Sequence, residues 1–310
     1  MLAGAGYYFY THQEEVIGLI KEISYWRIIA SLVLLLIGKL FIVVLVKFSV
    51  EAEGWSPSFW ETLGIYGLTS MGKYIPGGIW HFVGRFGIYR ANNLDNKQTA
   101  RAFILENIWL LSAAIAVGVC ALSLYRFDLI SYYLRIPQTQ LVSISFAVGT
   151  LVLWFGGLYL VKLYFNNKTK TTIRPIWQII PTSLLLWIFI GLSFFVMFEN
   201  YPITSGGLFV GAYAVSWSVG YLAVFAPGGL GIREAVLALV FSTVSSPEKI
   251  AVYAAMNRVV WLVAELLFGL AGYLQKPQFR SGESSEGQVV EGALLEPSQM
   301  ESKDPTDLVP

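Results

Sequence analysis

Two Pro-Gly-Gly triplets interrupt otherwise apolar stretches of this chain, and they constrain its fold more than any other feature. One lies in Lys73-Tyr74-Ile75-Pro76-Gly77-Gly78-Ile79-Trp80, followed by Gly84-Arg85, and the other in Phe225-Ala226-Pro227-Gly228-Gly229-Leu230-Gly231-Ile232-Arg233-Glu234-Ala235. Proline removes a backbone donor and clashes with the preceding turn, and glycine adds conformational freedom, so a helix cannot run through either triplet. The surrounding residues are those of membrane spans. The chain of 310 residues is 55% hydrophobic and 13% charged, with a mean hydropathy of +0.61, against about 25% charged residues in a soluble domain. A globule of this composition lacks the polar surface to cover itself, so the expected class is an all-α polytopic membrane protein.

Continuous spans are expected at about 26–48 (with Lys39 in its middle), 102–124, 141–165, 177–198 and 250–274, and broken apolar regions at 58–90 and 207–244. This gives a helical bundle of about six to eight spans. Residues 1–25 read as an apolar remnant followed by a polar surface segment, with no cleavable signal peptide, and residues 275–310 as a disordered polar tail rich in Ser, Glu, Gly and Pro. Aromatic residues cluster near span ends, as interfacial belts require.

The halves repeat. Trp26-Arg27-Ile28-Ile29 recurs as Trp177-Gln178-Ile179-Ile180, and Pro76-Gly77-Gly78 as Pro227-Gly228-Gly229, both at an offset of 151 residues; Asn107 then falls opposite Arg258. Repeat one covers about 26–125 and repeat two about 177–274, joined by the linking span 141–165. If each broken region crosses once, the halves are parallel; if each is a re-entrant hairpin, they are inverted. Placing the basic loops 90–101 and 166–176 in the cytoplasm satisfies the positive-inside rule either way. Only the inverted arrangement also puts Lys276 and Arg280 inside, at the expense of Lys21, and it is the expectation adopted. Paired interrupted helices at corresponding positions point to a transporter's binding site.

A helix restarting after Gly78 or Gly229 presents free N–H groups and the positive end of its dipole, a seat for an anion such as phosphate. The opposing reading is a kink that lets helices pack. Ionisable residues within spans usually face a cavity or a partner. The candidate substrate-binding residues are therefore Lys73, Gly77, Gly78 and Arg85 around the first break, Glu106 in the following span, Gly228, Gly229, Arg233 and Glu234 around the second break, and Arg258 in the last span. In this picture the arginines grip phosphate through their forked guanidinium, and Glu106 and Glu234 balance them. Internal salt bridges that fix helix packing are the alternative, and for Arg85 a place at the interface beside Arg90. Lys39 is expected to snorkel or face the bundle, and His81 to be a packing residue beside Trp80.

No catalytic constellation assembles. His12, His81 and Cys120 give no metal cluster, there is no nucleotide-binding Gly-rich loop ending in Lys-Ser or Lys-Thr, and no basic run with interleaved aromatics suggests nucleic acid. The expectation is a protein that is not an enzyme and uses no cofactor. Cys120 reads as a small buried hydrophobe.

The two motifs, with Glu106 after the first and Arg258 in the last span, resemble the lysylphosphatidylglycerol synthase transmembrane region family of flippase-like domain proteins, over about Trp26 to Leu274. The resemblance implies a bundle of about eight helical spans with interrupted helices in the cytoplasmic membrane. It also implies movement of an anionic phospholipid or a polyprenyl-phosphate-linked precursor between leaflets, without nucleotide hydrolysis. The family's aminoacyl-transferase domain has no counterpart here, so lipid aminoacylation is not implied, and most of the expected first span is missing. The second functional class is a non-transporting membrane partner of a separate glycosyl- or aminoacyl-transferase.

Overall fold

In the computed structural model, residues 13–74, 79–223, 229 and 231–275 are described. Pro76, Gly77, Gly78, Pro227 and Gly228, together with the polar tail, lie outside them. The described residues form eleven α-helices and no strand. They are α1 (Gln13–Lys21), α2 (Tyr25–Ala52), α3 (Phe59–Ser70), α4 (Trp80–Ala91), α5 (Asn96–Tyr125), α6 (Phe127–Leu134), α7 (Gln140–Asn166), α8 (Ile176–Phe195), α9 (Gly206–Leu222), α10 (Ile232–Val240) and α11 (Pro247–Gln275). Five of these, α2, α5, α7, α8 and α11, are long and apolar enough to cross a membrane, and the bundle is that of a multi-pass membrane protein. The linking helix α7 shows its environment most directly: Leu141 and Leu153 are 76% and 77% exposed, tolerable in lipid but not in water.

Local chemistry sets the element boundaries. Helix α3 begins at a capping box in which Ser58 accepts from the Glu61 amide (3.1 Å) while the Glu61 carboxylate accepts from the Ser58 amide (3.3 Å). Helix α5 starts at Asn96, inside the basic stretch expected as a loop, because Asp95 and Gln98 form a second such box (2.8 and 2.7 Å). The Gln98 amide holds the exposed Asp95 carboxyl below its ordinary pKa. The short helix α6 lies where only a loop was expected, and the Arg126 side chain, doubly bonded to Asp128 (2.8 and 2.9 Å), pins its start.

Both broken regions fold back on themselves. In the first, Gly72 lies against the backbone of Trp80 and His81, Gly84 against Thr69, and Arg85 over the Tyr66 ring, so α3 and α4 run antiparallel. In the second, Gly229 and Arg233 lie against Gly220, Arg233 over Trp217, and Phe241 against Phe209 (4.5 Å between centroids), so α9 and α10 also form a hairpin. The element order of a long helix, a hairpin and a long helix thus occurs twice: α2, α3–α4, α5, and then α8, α9–α10, α11.

Polar contacts at the two ends give the relative direction of these halves. At one end Arg174 pairs with Glu51 (2.8 Å), Arg101 with Glu53 (2.7 Å), and Gln98 donates to the Glu53 carbonyl (3.2 Å). At the other, Arg27 donates to the carbonyls of Val196 and Phe198 (3.0 and 2.9 Å), Lys249 pairs with Glu22 (2.8 Å), and Arg126 donates to the Val240 carbonyl. The first hairpin therefore opens toward one end and the second toward the other, which is an inverted arrangement.

The most extensive helix contacts cross between the halves: α2 with α8, α3 with α11, and α5 with α9. Small residues line these crossings. A Cβ on Gly67 would strike the Phe268 carbonyl, one on Gly272 the Gly64 carbonyl at 2.5 Å, one on Gly118 the Val215 Cβ at 2.8 Å, and one on Gly38 the Ile190 side chain at 2.8 Å. Without a hydrophobic drive between helices in lipid, close backbone approach supplies the packing energy. An aromatic cluster of Phe194, Phe198, Phe209, Tyr213, Phe241 and Tyr253 fills the end near the second hairpin's mouth.

Gly118→Leu should cost about 1–3 kcal/mol or more through overpacking and lower the melting temperature of the purified protein. Gly149→Leu, whose Cβ would meet open space, should leave the melting temperature unchanged. In a Cys120→Ala background, cysteines introduced by Lys97→Cys and Lys168→Cys should react with an impermeant maleimide from one face of sealed vesicles, and those from Asn200→Cys and Thr243→Cys from the other.

Candidate functional site

Charged side chains lie beside the two breaks and on the long helices that pack against them. On the first hairpin, a 3-10 turn (Met71–Tyr74) carries Lys73, and α4 carries Arg85. On the second, α10 carries Arg233 and Glu234 in its first turn. The long helices add Lys39 (α2), Glu106 (α5), and Arg258 and Glu265 (α11).

Three carboxylates organise these groups. Arg85 donates to both oxygens of Glu106 at 2.7 Å, and Arg85 is only 3% exposed, so it is an interior residue and not an interfacial anchor. Arg258 donates to Glu234 at 2.6 Å and to the Gly229 carbonyl at 3.2 Å. The other Glu234 oxygen accepts from the Gly231 amide at 2.8 Å. Glu265 receives two lysines on one oxygen, Lys39 at 3.0 Å and Lys73 at 3.2 Å. The Lys39 side chain is fully buried, at 4.1 Å from the Trp261 ring centroid, whereas that of Lys73 is 36% exposed. The Tyr66 ring lies within 5.9 Å of Lys39, Lys73 and Arg85 together.

Arg233 differs from the others. Among the described residues it forms no ion pair, and its Nε is buried without an acceptor. Its stem fits the space left by Gly220 and Gly229, where an added Cβ would come within 2.6 and 3.1 Å of it, and its guanidinium sits 5.8 Å from the Trp217 ring centroid. Gly229 has φ +68° and Gly231 φ +81°. Glycine is needed at Gly229 for its dihedral as well as for the space it leaves. Trp217 stacks on Tyr221 (4.8 Å, 13°), whose hydroxyl bonds to Asn107, next to Glu106. This chain of contacts connects the two hairpins.

The described residues among the sequence candidates, Lys73, Arg85, Glu106, Gly229, Arg233, Glu234 and Arg258, all fall in this region, while Gly77, Gly78 and Gly228 lie outside the described residues. For Arg85 and Arg258 the geometry is that of internal salt bridges; Arg233 has no ion pair among the described residues. Sequence reasoning left Lys39 and Glu265 out of the site. Two opposite intramembrane charges on separate spans were the signal that could have joined them. His81 stacks against Phe82, ring centroids 3.9 Å apart.

No protein-family model matches this chain, and no curated protein matches it.

Removing one partner of a buried ion pair strands the other charge. Arg85→Leu should destabilise the protein by about 3–5 kcal/mol, and Arg85→Leu with Glu106→Leu should recover most of that loss. Thermal unfolding of both variants and the parent in one detergent measures the difference.

Proposed function

We propose that this chain is a flippase-like transporter of the cytoplasmic membrane that moves an anionic phospholipid or a polyprenyl-phosphate-linked precursor between leaflets, without hydrolysing nucleotide. The observation that carries this reading is the convergence of two oppositely opening hairpins on a charged cluster containing five cations, Lys39, Lys73, Arg85, Arg233 and Arg258, and three carboxylates, Glu106, Glu234 and Glu265. Burying a surplus of charge is costly, and within a bilayer ionisable residues mark substrate pathways.

In this reading the hairpins are re-entrant, one from each face of the membrane. Broken backbone at membrane depth is tolerated where protein or a hydrated cavity satisfies it. The headgroup phosphate enters between the hairpin tips while its chains remain in lipid, and the inverted halves exchange roles between inward- and outward-open forms. The resemblance to the flippase-like domain family, which rests on the motif residues alone, points to the same substrates.

The test is a proteoliposome assay in which fluorescent anionic phospholipids are quenched from outside. One charge-assisted hydrogen bond contributes about 1.5–3 kcal/mol, so Arg233→Ala should slow exchange by about tenfold or more. An exchange rate unchanged by Arg233→Ala, in protein that still elutes as a single species, removes Arg233 from the pathway. No exchange by the parent protein, with any anionic or polyprenyl-phosphate lipid, removes the transport reading.

A further inference from the structure

We propose that the Lys73–Glu265 contact is a releasable tether between the first hairpin and α11, and that Lys39 is what makes it releasable. The proposal concerns the hairpin alone and does not depend on the transport reading.

The geometry is that of two lysines competing for one acceptor. Lys39 and Lys73 approach the same oxygen of Glu265, at 3.0 and 3.2 Å. Among the described residues neither lysine pairs with any other carboxylate. The Glu265 side chain is 3% exposed, so it must keep a cation. Were Lys73 its sole partner, release would strand that charge. Lys39 removes this penalty. Its side chain, on α2, is fully buried, and it stays on the carboxylate when Lys73 leaves. Lys73 can leave because its side chain is 36% exposed, and a freed ammonium there is hydrated. The two ammonium groups also repel each other across the shared oxygen. Release of Lys73 therefore has the cost of a surface ion pair, roughly a factor of two to five in population.

The packing shows what the tether holds. Helix α3 is pinned to α11 where Gly67 meets the Phe268 carbonyl and Gly272 meets the Gly64 carbonyl. The turn Met71–Tyr74 follows that crossing. It keeps close backbone contact with α4, through Gly72 against Trp80 and His81. Toward α11 it has the Met71 side chain, which lies against Gly269, and the Lys73 ion pair. Release of Lys73 thus frees the turn from α11 beyond the crossing, while α4 keeps its own anchor in the Arg85–Glu106 pair at 2.7 Å.

The test uses the purified full chain in a Cys120→Ala background. Met71→Cys places a thiol at the turn's contact with Gly269, and its rate of labelling by a maleimide reports detachment. Lys73→Met should raise that rate about twofold to fivefold. Lys39→Met leaves Lys73 as the sole partner of a buried acid and should lower the rate below that of the parent. Thermal unfolding is the second measurement. Each single Met variant should unfold within about 2 °C of the parent, because one lysine still pairs with Glu265. The double variant should lose about 5 °C or more, since the carboxylate is then stranded, and adding Glu265→Gln should recover most of that loss. Equal labelling rates in the parent and both single variants overturn the proposal. So does a double-variant loss that only equals the sum of the single losses, because Glu265 is then not the shared partner. A Lys73→Met variant that loses as much stability as the double variant, or fails to fold, overturns it as well. Lipid exchange by the parent, present or absent, bears on the transport reading and not on this tether.

Discussion

The pairing of Glu234 with Arg258 is the contact on which the second hairpin depends. A helix that stops inside a bilayer strands its last carbonyls and first amides, and lipid offers them no partner. Here the two members of one ion pair both bond the backbone that leads into α10: Arg258 donates to the Gly229 carbonyl, and Glu234 accepts the Gly231 amide. The charges neutralise each other at 2.6 Å while satisfying backbone that would otherwise forbid the turn. This places Arg258 in the framework, while Arg233, its neighbour in the cluster, makes no ion pair among the described residues.

The first hairpin has an ion pair of the opposite polarity. Its return helix α4 carries the cation, Arg85, and the following span carries the acid, Glu106; in the second hairpin the return helix carries the acid and the span the cation. Either polarity holds a return helix against its span, so the ion pairs can be swapped without altering the architecture. The additional cations are a different matter. Each hairpin contributes one beyond its own pair, and only the first finds a carboxylate, on the opposite half of the molecule. This asymmetry within a symmetric frame sets the added cations apart from the paired ones.

Much of this was legible in the sequence because it depends on local rules. Proline and glycine cannot continue a helix, so both breaks were placed, and a repeat at constant offset set the order of elements. The start of α5 was missed although its signal was present: Asp95 followed by Gln98 is a capping box, but it sits in a polar stretch that averages as loop. The pairing of Lys39 with Glu265 was missed for another reason. These residues are 226 positions apart, and hydropathy treats each as a minor interruption of its own span. No one-dimensional pattern states which intramembrane arginine meets a glutamate and which remains unpaired. That is settled by helix rotation, as when Arg85 turns toward Glu106 and Arg233 toward the face of Trp217.

The distribution of small and charged contacts also separates what is fixed from what can change. The crossings of α3 with α11 and α5 with α9 are backbone approaches at Gly67, Gly118 and Gly272, which have little tolerance for sliding because interiors are close-packed. The return helices are held more lightly. On α4, Trp80, Phe82, Val83 and Phe86 are exposed, and Arg85, Ile88 and Tyr89 make the inward contacts. Ionic contacts can be exchanged for others of the same sign without repacking a core. The small-residue crossings are thus the tight frame, and α4 is held to it by a few inward contacts.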